Sequence, residues 1–394
     1  MDLNNQSIPM SSPDLGDAER QAVLEVLNTP NLSMGPRIAK FEETFRLLTG
    51  DRNAIGVNSG TAGLHLCVRA AGVQSGDYVI TTPFSFISSS NVLLFENAIP
   101  VYVDVDARTG NIDPQLVEEA VHDLVAGGEK ARRWLPRSGV QPGHPLKAIL
   151  PVDIFGQPAD LDPIIKIARQ YQLQVIEDSC EALGAEYKHR PAGSLGHFGV
   201  FAFYPNKQIT TGEGGMIITN DDTAADFMRA LRNQGRAVGD TWLQHTHLGY
   251  NYRLDEMSAA LGMVQMSRLD ELINQRSQVA AWYTERLAEI PGVETQVIEP
   301  FTTRMSWFVY VVRFAPGFNR DQLVRKLAMH NIPARPYFAP IHLQPFMVQR
   351  FGYCPGDFPI TEDLGNRNLA LPFSGVMSEA QVDTVCRVIH QSIQ

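Results

Sequence analysis

Between residues 53 and 219, short runs rich in β-branched residues alternate with stretches whose apolar positions recur every three to four residues. Such alternation marks a mostly parallel sheet covered by helices, because a helical crossover returns each strand to the same direction. The pattern predicts strands at 54–57, 78–81, 100–105, 148–153, 174–177, 199–203 and 215–219. Asp160, Leu161, Asp162 and Pro163 open one intervening helix with an acidic cap and an early proline, and Ile164, Ile165, Ala168 and Tyr171 follow at helical spacing. A long helical stretch from Leu254 to about Glu289 closes at Pro291 and Gly292. Beyond it, a strand near 306–314, a helix near 320–330 and a final helix from Ser378 predict a small α/β unit. The expected organisation is a large unit over residues 1–265, its N-terminal segment packing on the smaller one, and a C-terminal unit over 266–394. Residues 127–145, rich in glycine, proline and arginine, read as a surface excursion, since the strand pattern resumes at Ala148.

At 394 residues the chain can bury a sizeable core. Its net charge of -10 argues against a nucleic-acid or anionic-membrane surface and points to a small-molecule partner. Cys67, Cys180, Cys354 and Cys386 are scattered without metal-ligand spacing and read as reduced thiols of a cytoplasmic protein. The first residues lack the basic end and apolar run of a signal peptide, and no apolar stretch is long enough to span a bilayer. His245 and His247, two apart with no third ligand at diagnostic spacing, read as a polar loop, so no metal is expected.

Four segments carry chemistry. Asn58-Ser59-Gly60-Thr61-Ala62-Gly63 follows a strand and opens a helix, so the amides of Gly60 and Thr61 and the Thr61 hydroxyl can receive a phosphate; a plain N-cap accounts for the same residues. Thr82-Pro83-Phe84-Ser85-Phe86 lies at a strand's C-terminal end, where Phe86 can stack on a flat ring or simply fill core. Glu177-Asp178-Ser179-Cys180-Glu181 places three carboxylates in five positions at the end of an apolar strand. Buried charge demands a partner, and a cationic pyridinium would pair Asp178. Lys207 follows an aromatic run, Phe201-Ala202-Phe203-Tyr204, and precedes Thr210-Thr211-Gly212-Glu213-Gly214-Gly215, whose glycines allow the backbone to swing the lysine inward. A lysine so placed, with an aspartate one βαβ unit upstream, suits pyridoxal 5'-phosphate (PLP): the amine forms a Schiff base with the aldehyde and the aspartate keeps the ring nitrogen protonated.

These segments, with Leu32-Ser33-Met34-Gly35-Pro36, Gly249-Tyr250-Asn251-Tyr252-Arg253-Leu254-Asp255-Glu256, Arg335-Pro336-Tyr337-Phe338 and Ile341-His342-Leu343, resemble the DegT/DnrJ/EryC1/StrS family of PLP-dependent sugar aminotransferases over nearly the whole chain. The resemblance implies fold type I aminotransferase architecture, a large PLP-binding α/β domain with a smaller C-terminal one, and homodimers whose sites lie at the subunit interface. It implies that Lys207 is the Schiff-base lysine, Asp178 the ring-nitrogen partner and Thr61 a phosphate ligand, with Glu181 near the cofactor O3'; Gly60 as a second phosphate ligand and Phe86 as the stacking residue rest on their own placement at the helix start and strand end. Asn251 is implied to reach the phosphate in the neighbouring subunit, and Gly35, Tyr337 and His342 to meet substrate. Two departures stand out. Ala202 replaces a phosphate-binding serine common in the family, and Glu181 stands where glutamine or histidine is usual.

The reaction expected from the resemblance moves an amino group from glutamate, through pyridoxamine 5'-phosphate, to a keto sugar nucleotide. The segment around Lys207 and Glu181 is similar to the branch that aminates C4 of a 4-keto-6-deoxy sugar, the perosamine-synthase type. A C3-aminating enzyme and a non-catalytic regulatory protein of the same fold are the alternatives. A sugar 3-dehydratase would carry histidine in place of Lys207, and a cysteine desulfurase would need a reactive cysteine in a cationic or Gly-rich setting.

Overall fold

The computed structural model describes residues 8–237, 239 and 244–393. Nine strands precede residue 220: β1 (Asn53–Val57), β2 (Tyr78–Thr81), β3 (Ile99–Tyr102), β4 (Leu146–Ile149), β5 (Gln174–Asp178), β6 (Glu186–Tyr187), β7 (Arg190–Pro191), β8 (Phe198–Ala202) and β9 (Gly215–Thr219). Seven form one sheet in the order β1-β9-β8-β5-β4-β2-β3. Only β9 runs against its neighbours. A strand overlaps each of the seven predicted, although β3 stops at Tyr102 and β4 at Ile149, short of the predicted ends at 105 and 153. The near-continuous apolar runs of β1, β2, β8 and β9 follow from burial on both faces. The C-terminal end of the edge strand β1 is covered: Val57 bridges Arg253, and Asn58 N–H donates to Tyr252 O at 2.9 Å.

The C-terminal part contributes β10 (Val293–Thr295), β11 (Thr302–Arg304), β12 (Tyr310–Phe314) and β13 (Asn368–Leu371). β10, β12 and β13 make a three-stranded antiparallel sheet, while β11 joins the β6–β7 hairpin. Ile8 lies in the apolar cluster of this smaller sheet, and Phe373 N–H donates to Met10 O at 2.9 Å. The helix Leu269–Leu287 serves two cores. Leu269, Leu272 and Ile273 pack with β8 and β9 residues, whereas Val279, Ala280, Tyr283 and Leu287 pack on the small sheet.

Three expectations need correction. The stretch from Leu254 to Glu289 is two helices, Glu256–Ser267 and Leu269–Leu287, with Arg268 at the joint held by Asp14 and Glu19, both at 2.9 Å. Asp160 stands at the helix N-cap, but its carboxylate accepts the Tyr187 hydroxyl at 2.6 Å and makes no cap bond. The strand expected from Ser306 begins only at Tyr310, because Trp307 takes a left-handed φ of 53° and turns the preceding residues toward the large sheet.

Candidate active site

Parallel strands deliver their C-terminal ends to one edge of a sheet, and the loops leaving β1, β2, β5 and β8 meet there around a cavity of about 440 Å³. Its lining includes Gly60, Thr61, Phe86, Asp178, Glu181, Lys207, Phe308 and Tyr337. Six of these eight come from four segments singled out by sequence, separated by up to about 150 positions in the chain. Tyr337 and Phe308 come from the C-terminal part.

Ser59 caps the helix Gly60–Ala70 by accepting from Ala62 N–H at 3.0 Å. Among the described residues, nothing accepts from the amides of Gly60 and Thr61, which point from the positive end of the helix dipole. The Thr61 and Ser88 hydroxyls lie 2.9 Å apart beside them. Gly60 is required by close approach: a Cβ there would lie 2.7 Å from Ala202 Cβ and 2.8 Å from Cys180 Sγ. The helix end is thereby brought down onto β8.

Asp178 and Glu177 sit on opposite faces of β5, as the two-residue period of a strand dictates, so the three carboxylates near Cys180 do not converge. Glu177 faces away from the cavity and accepts the amides of Gly193, Leu195 and Gly196. Burial still pushes its pKa up to about 8. Asp178, only 5% exposed, faces the cavity and accepts the Ser89 hydroxyl at 2.7 Å. Among the described residues no cation pairs with it. A buried carboxylate without a cation is a costly group that a cationic ligand would satisfy.

Lys207 lies in the loop after β8, its Nζ 4.0 Å from Glu181 Oε1 and 3.9 Å from the centre of the Phe308 ring. The aromatic run that drew attention to it does something else. Phe201 and Phe203 point to the far side of the sheet, packing with Phe45 and Phe41, and the ring at the amine is Phe308. Gly212 adopts φ 80° as the loop turns back into β9, and Thr211 N–H bonds Phe203 O at 3.0 Å. Glu181 is buried, accepts Phe155 N–H at 2.9 Å, and has its pKa pushed up to about 7 by burial, partly opposed by Lys207. Phe155 holds a left-handed φ of 59° and its ring stacks on Phe338, which stacks in turn on Tyr337. Of these rings Tyr337 and Phe338 line the cavity, as does Phe86, which is 61% exposed.

Residues 13–390 match the DegT/DnrJ/EryC1/StrS aminotransferase family. The chain belongs to that family. It is 37% identical to GDP-perosamine synthase of Caulobacter vibrioides over 98% of both chains, and 32% identical to GDP-perosamine synthase of Escherichia coli O157:H7 over 98% of both. Among solved structures it superposes on Helicobacter pylori PseC, an aminotransferase of pseudoaminic acid biosynthesis, with a TM-score of 0.87 and 26% identity over 98% of this chain and 99% of that one. As a DegT-family sugar aminotransferase it works with PLP, and the residues present fit that cofactor. The open amides at Gly60 and Thr61 suit a phosphate, and the unpaired Asp178 carboxylate suits a ring N–H.

Three residues implied by the family resemblance stand outside the cavity of the single chain. Asn251 is exposed, and its carbonyl accepts from Asn58 Nδ2 at 3.3 Å. Gly35 opens the helix Pro36–Thr49, its amide bound to Glu256 Oε1 at 3.0 Å. His342 does not line this cavity. It is fully buried among Tyr353 and Phe358 with Nε2 3.0 Å from Glu362, and burial holds its pKa below the ordinary histidine value. Its turn matters through the backbone, since Ile341 N–H donates to Pro83 O at 2.8 Å and steadies the segment that carries Phe86. Sequence reasoning missed Ser89, Phe155 and Phe308. Only Ser89 had a local signal, a hydroxyl three residues beyond a strand-end aromatic.

Proposed function

We propose that this enzyme aminates C4 of a 4-keto-6-deoxy sugar nucleotide with nitrogen taken from glutamate, as a homodimer whose sites are shared between subunits. One observation carries the catalytic part of the reading: Lys207 and the cation-free Asp178 face one cavity beside two open helix-end amides. The similarity to GDP-perosamine synthases of two bacteria supports the choice of C4.

When bound, PLP supplies an aldehyde for an amine and a ring that accepts electrons. The chain's own residues do the rest. The Gly60 and Thr61 amides and the Thr61 hydroxyl hold the phosphate. Asp178, oriented by Ser89, would accept from the ring nitrogen, and Phe86, which lines the same cavity, would pack against the ring. Lys207, once its amine is free, carries protons to and from the substrate carbon, a role worth roughly 10²- to 10⁴-fold in rate. Glu181 Oε1, 4.0 Å from the Lys207 amine, acts on it through charge and not through a direct hydrogen bond. Tyr337 bounds the substrate side, and Gly35 lies on the loop expected to meet substrate from the outside. Asn251, exposed and held through its backbone, extends to the phosphate in the neighbouring subunit. The same reading divides the chain into a cofactor-holding unit over 1–265 and a smaller unit over 266–394.

Matched 3-keto and 4-keto sugar nucleotides incubated with enzyme and glutamate test the position of amination, with the new amine located by NMR. Product aminated at C4 alone is expected. Amination at C3 alone would overturn the assignment of position.

A further inference from the structure

Arg276 is an arginine only 4% exposed on the helix Leu269–Leu287, at the point where that helix passes from the core of the large sheet to that of the small one. Among the described residues no carboxylate pairs with it. Its guanidinium donates to four backbone carbonyls. Nη1 reaches Trp307 O at 3.1 Å and Phe308 O at 3.2 Å, and Nη2 reaches Asn206 O at 3.3 Å and Lys207 O at 2.5 Å. No backbone N–H of the described residues serves any of these four oxygens. The side that carries the amine and the side that carries the ring 3.9 Å from that amine are therefore tied by one planar fork.

We propose that Arg276 is a positioning residue that fixes the Lys207 backbone against the Phe308 wall and so sets where the amine points. A fork is needed because the acceptors belong to two separate segments, and each terminal nitrogen of the guanidinium serves one of them. An ammonium is a point donor on a flexible stem and cannot span both with the same rigidity. Burying an unpaired cation is unfavourable, and desolvation pushes the guanidinium pKa down to about 10. An apolar residue would fill this volume at less cost if packing were the sole requirement, but it would leave two buried and two half-buried carbonyls without donors. Lys207 itself sits in a turn without regular pairing beyond its amide bond to Tyr204 O at 2.9 Å.

The inference rests on Lys207 being the residue that bonds the cofactor, and the test keeps the two apart. Holoenzyme of the parent, Arg276→Lys and Val279→Ala is prepared. Val279 lies on the same helix, in the small core, and its truncation loosens packing without touching the fork. Cofactor content, unfolding midpoint, the pH dependence of the bound cofactor's absorbance, and the single-turnover rate with glutamate are measured for each. Misplacement of a reacting group by about 1 Å costs on the order of 10²-fold, so Arg276→Lys is expected to turn over about 10- to 100-fold more slowly at full cofactor content, with a shifted spectral pH profile. Val279→Ala is expected to melt lower yet turn over within about threefold of the parent. A parent-like rate and spectrum in Arg276→Lys overturns the proposal, and so does a slowing in Val279→Ala that matches it at equal loss of stability. Borohydride labelling of the parent at a residue other than Lys207 would overturn the underlying reading instead.

Discussion

Glu181 Oε1 lies 4.0 Å from Lys207 Nζ, while its other oxygen is fixed by the amide of Phe155 at 2.9 Å. One carboxyl thus bridges the amine and a strained backbone residue whose ring belongs to the Tyr337–Phe338 stack. With Asp153 and Glu177 it is one of three buried carboxyls whose pKa values burial pushes up, to about 7, about 7 and about 8 for Glu181, Asp153 and Glu177.

Each of these groups binds its proton more tightly folded than unfolded. Folding therefore favours the protonated forms, and stability falls as pH rises from the ordinary carboxyl range toward 8, levelling above it. Cofactor-free enzyme is expected to unfold at lower urea at pH 8 than at pH 5. Glu181→Gln removes one of the three and shrinks that difference by up to about 3 kcal/mol. Urea titrations of parent and variant at the two pH values measure this. An undiminished difference in the variant would contradict the assignment of Glu181 as a group that is costly when charged.

Gly60→Ala places a Cβ against Ala202 and Cys180. The helix end must lift from β8, at a cost of about 1–3 kcal/mol, and the open amides move with it. Cofactor affinity is expected to fall at least tenfold, read by titrating cofactor-free protein with PLP. Unchanged affinity would show that the helix end does not hold the phosphate.

Much of this fold was legible because each strand is a short apolar run bounded by turn residues, and the cavity followed because parallel strands end at one edge. Asp178 and Lys207 were legible for the same reason, each being the polar residue at or just beyond such an end. What pattern could not show was which distant segment completes the site. Phe308 and Arg276 act through tertiary contact alone, and the left-handed residues beside Phe308, Trp307 in sequence and Phe155 through its carbonyl, are not glycines that would mark a turn. His342 was expected near substrate from the family resemblance alone; in the single chain it is buried against Glu362, a contact that no local pattern marks.

Asn251 is exposed in the single chain and is expected to act in the neighbouring subunit's site. Lys207→Ala and Asn251→Ala chains, each inactive alone, should recover part of the activity when mixed, since a mixed dimer holds one intact site. Activity assays after co-refolding, with mixed dimers verified by mass, test this. No recovery would remove the shared-site proposal.

The central claim is that Lys207 carries the cofactor, and the most direct measurement is reduction of the holoenzyme with borohydride followed by peptide mapping. The account predicts a pyridoxyl group on Lys207 alone, and in Lys207→Ala no covalent label although PLP still binds through Gly60, Thr61 and Asp178. A label on any other lysine of the parent enzyme, or a parent enzyme that takes up PLP without becoming labelled, would contradict it.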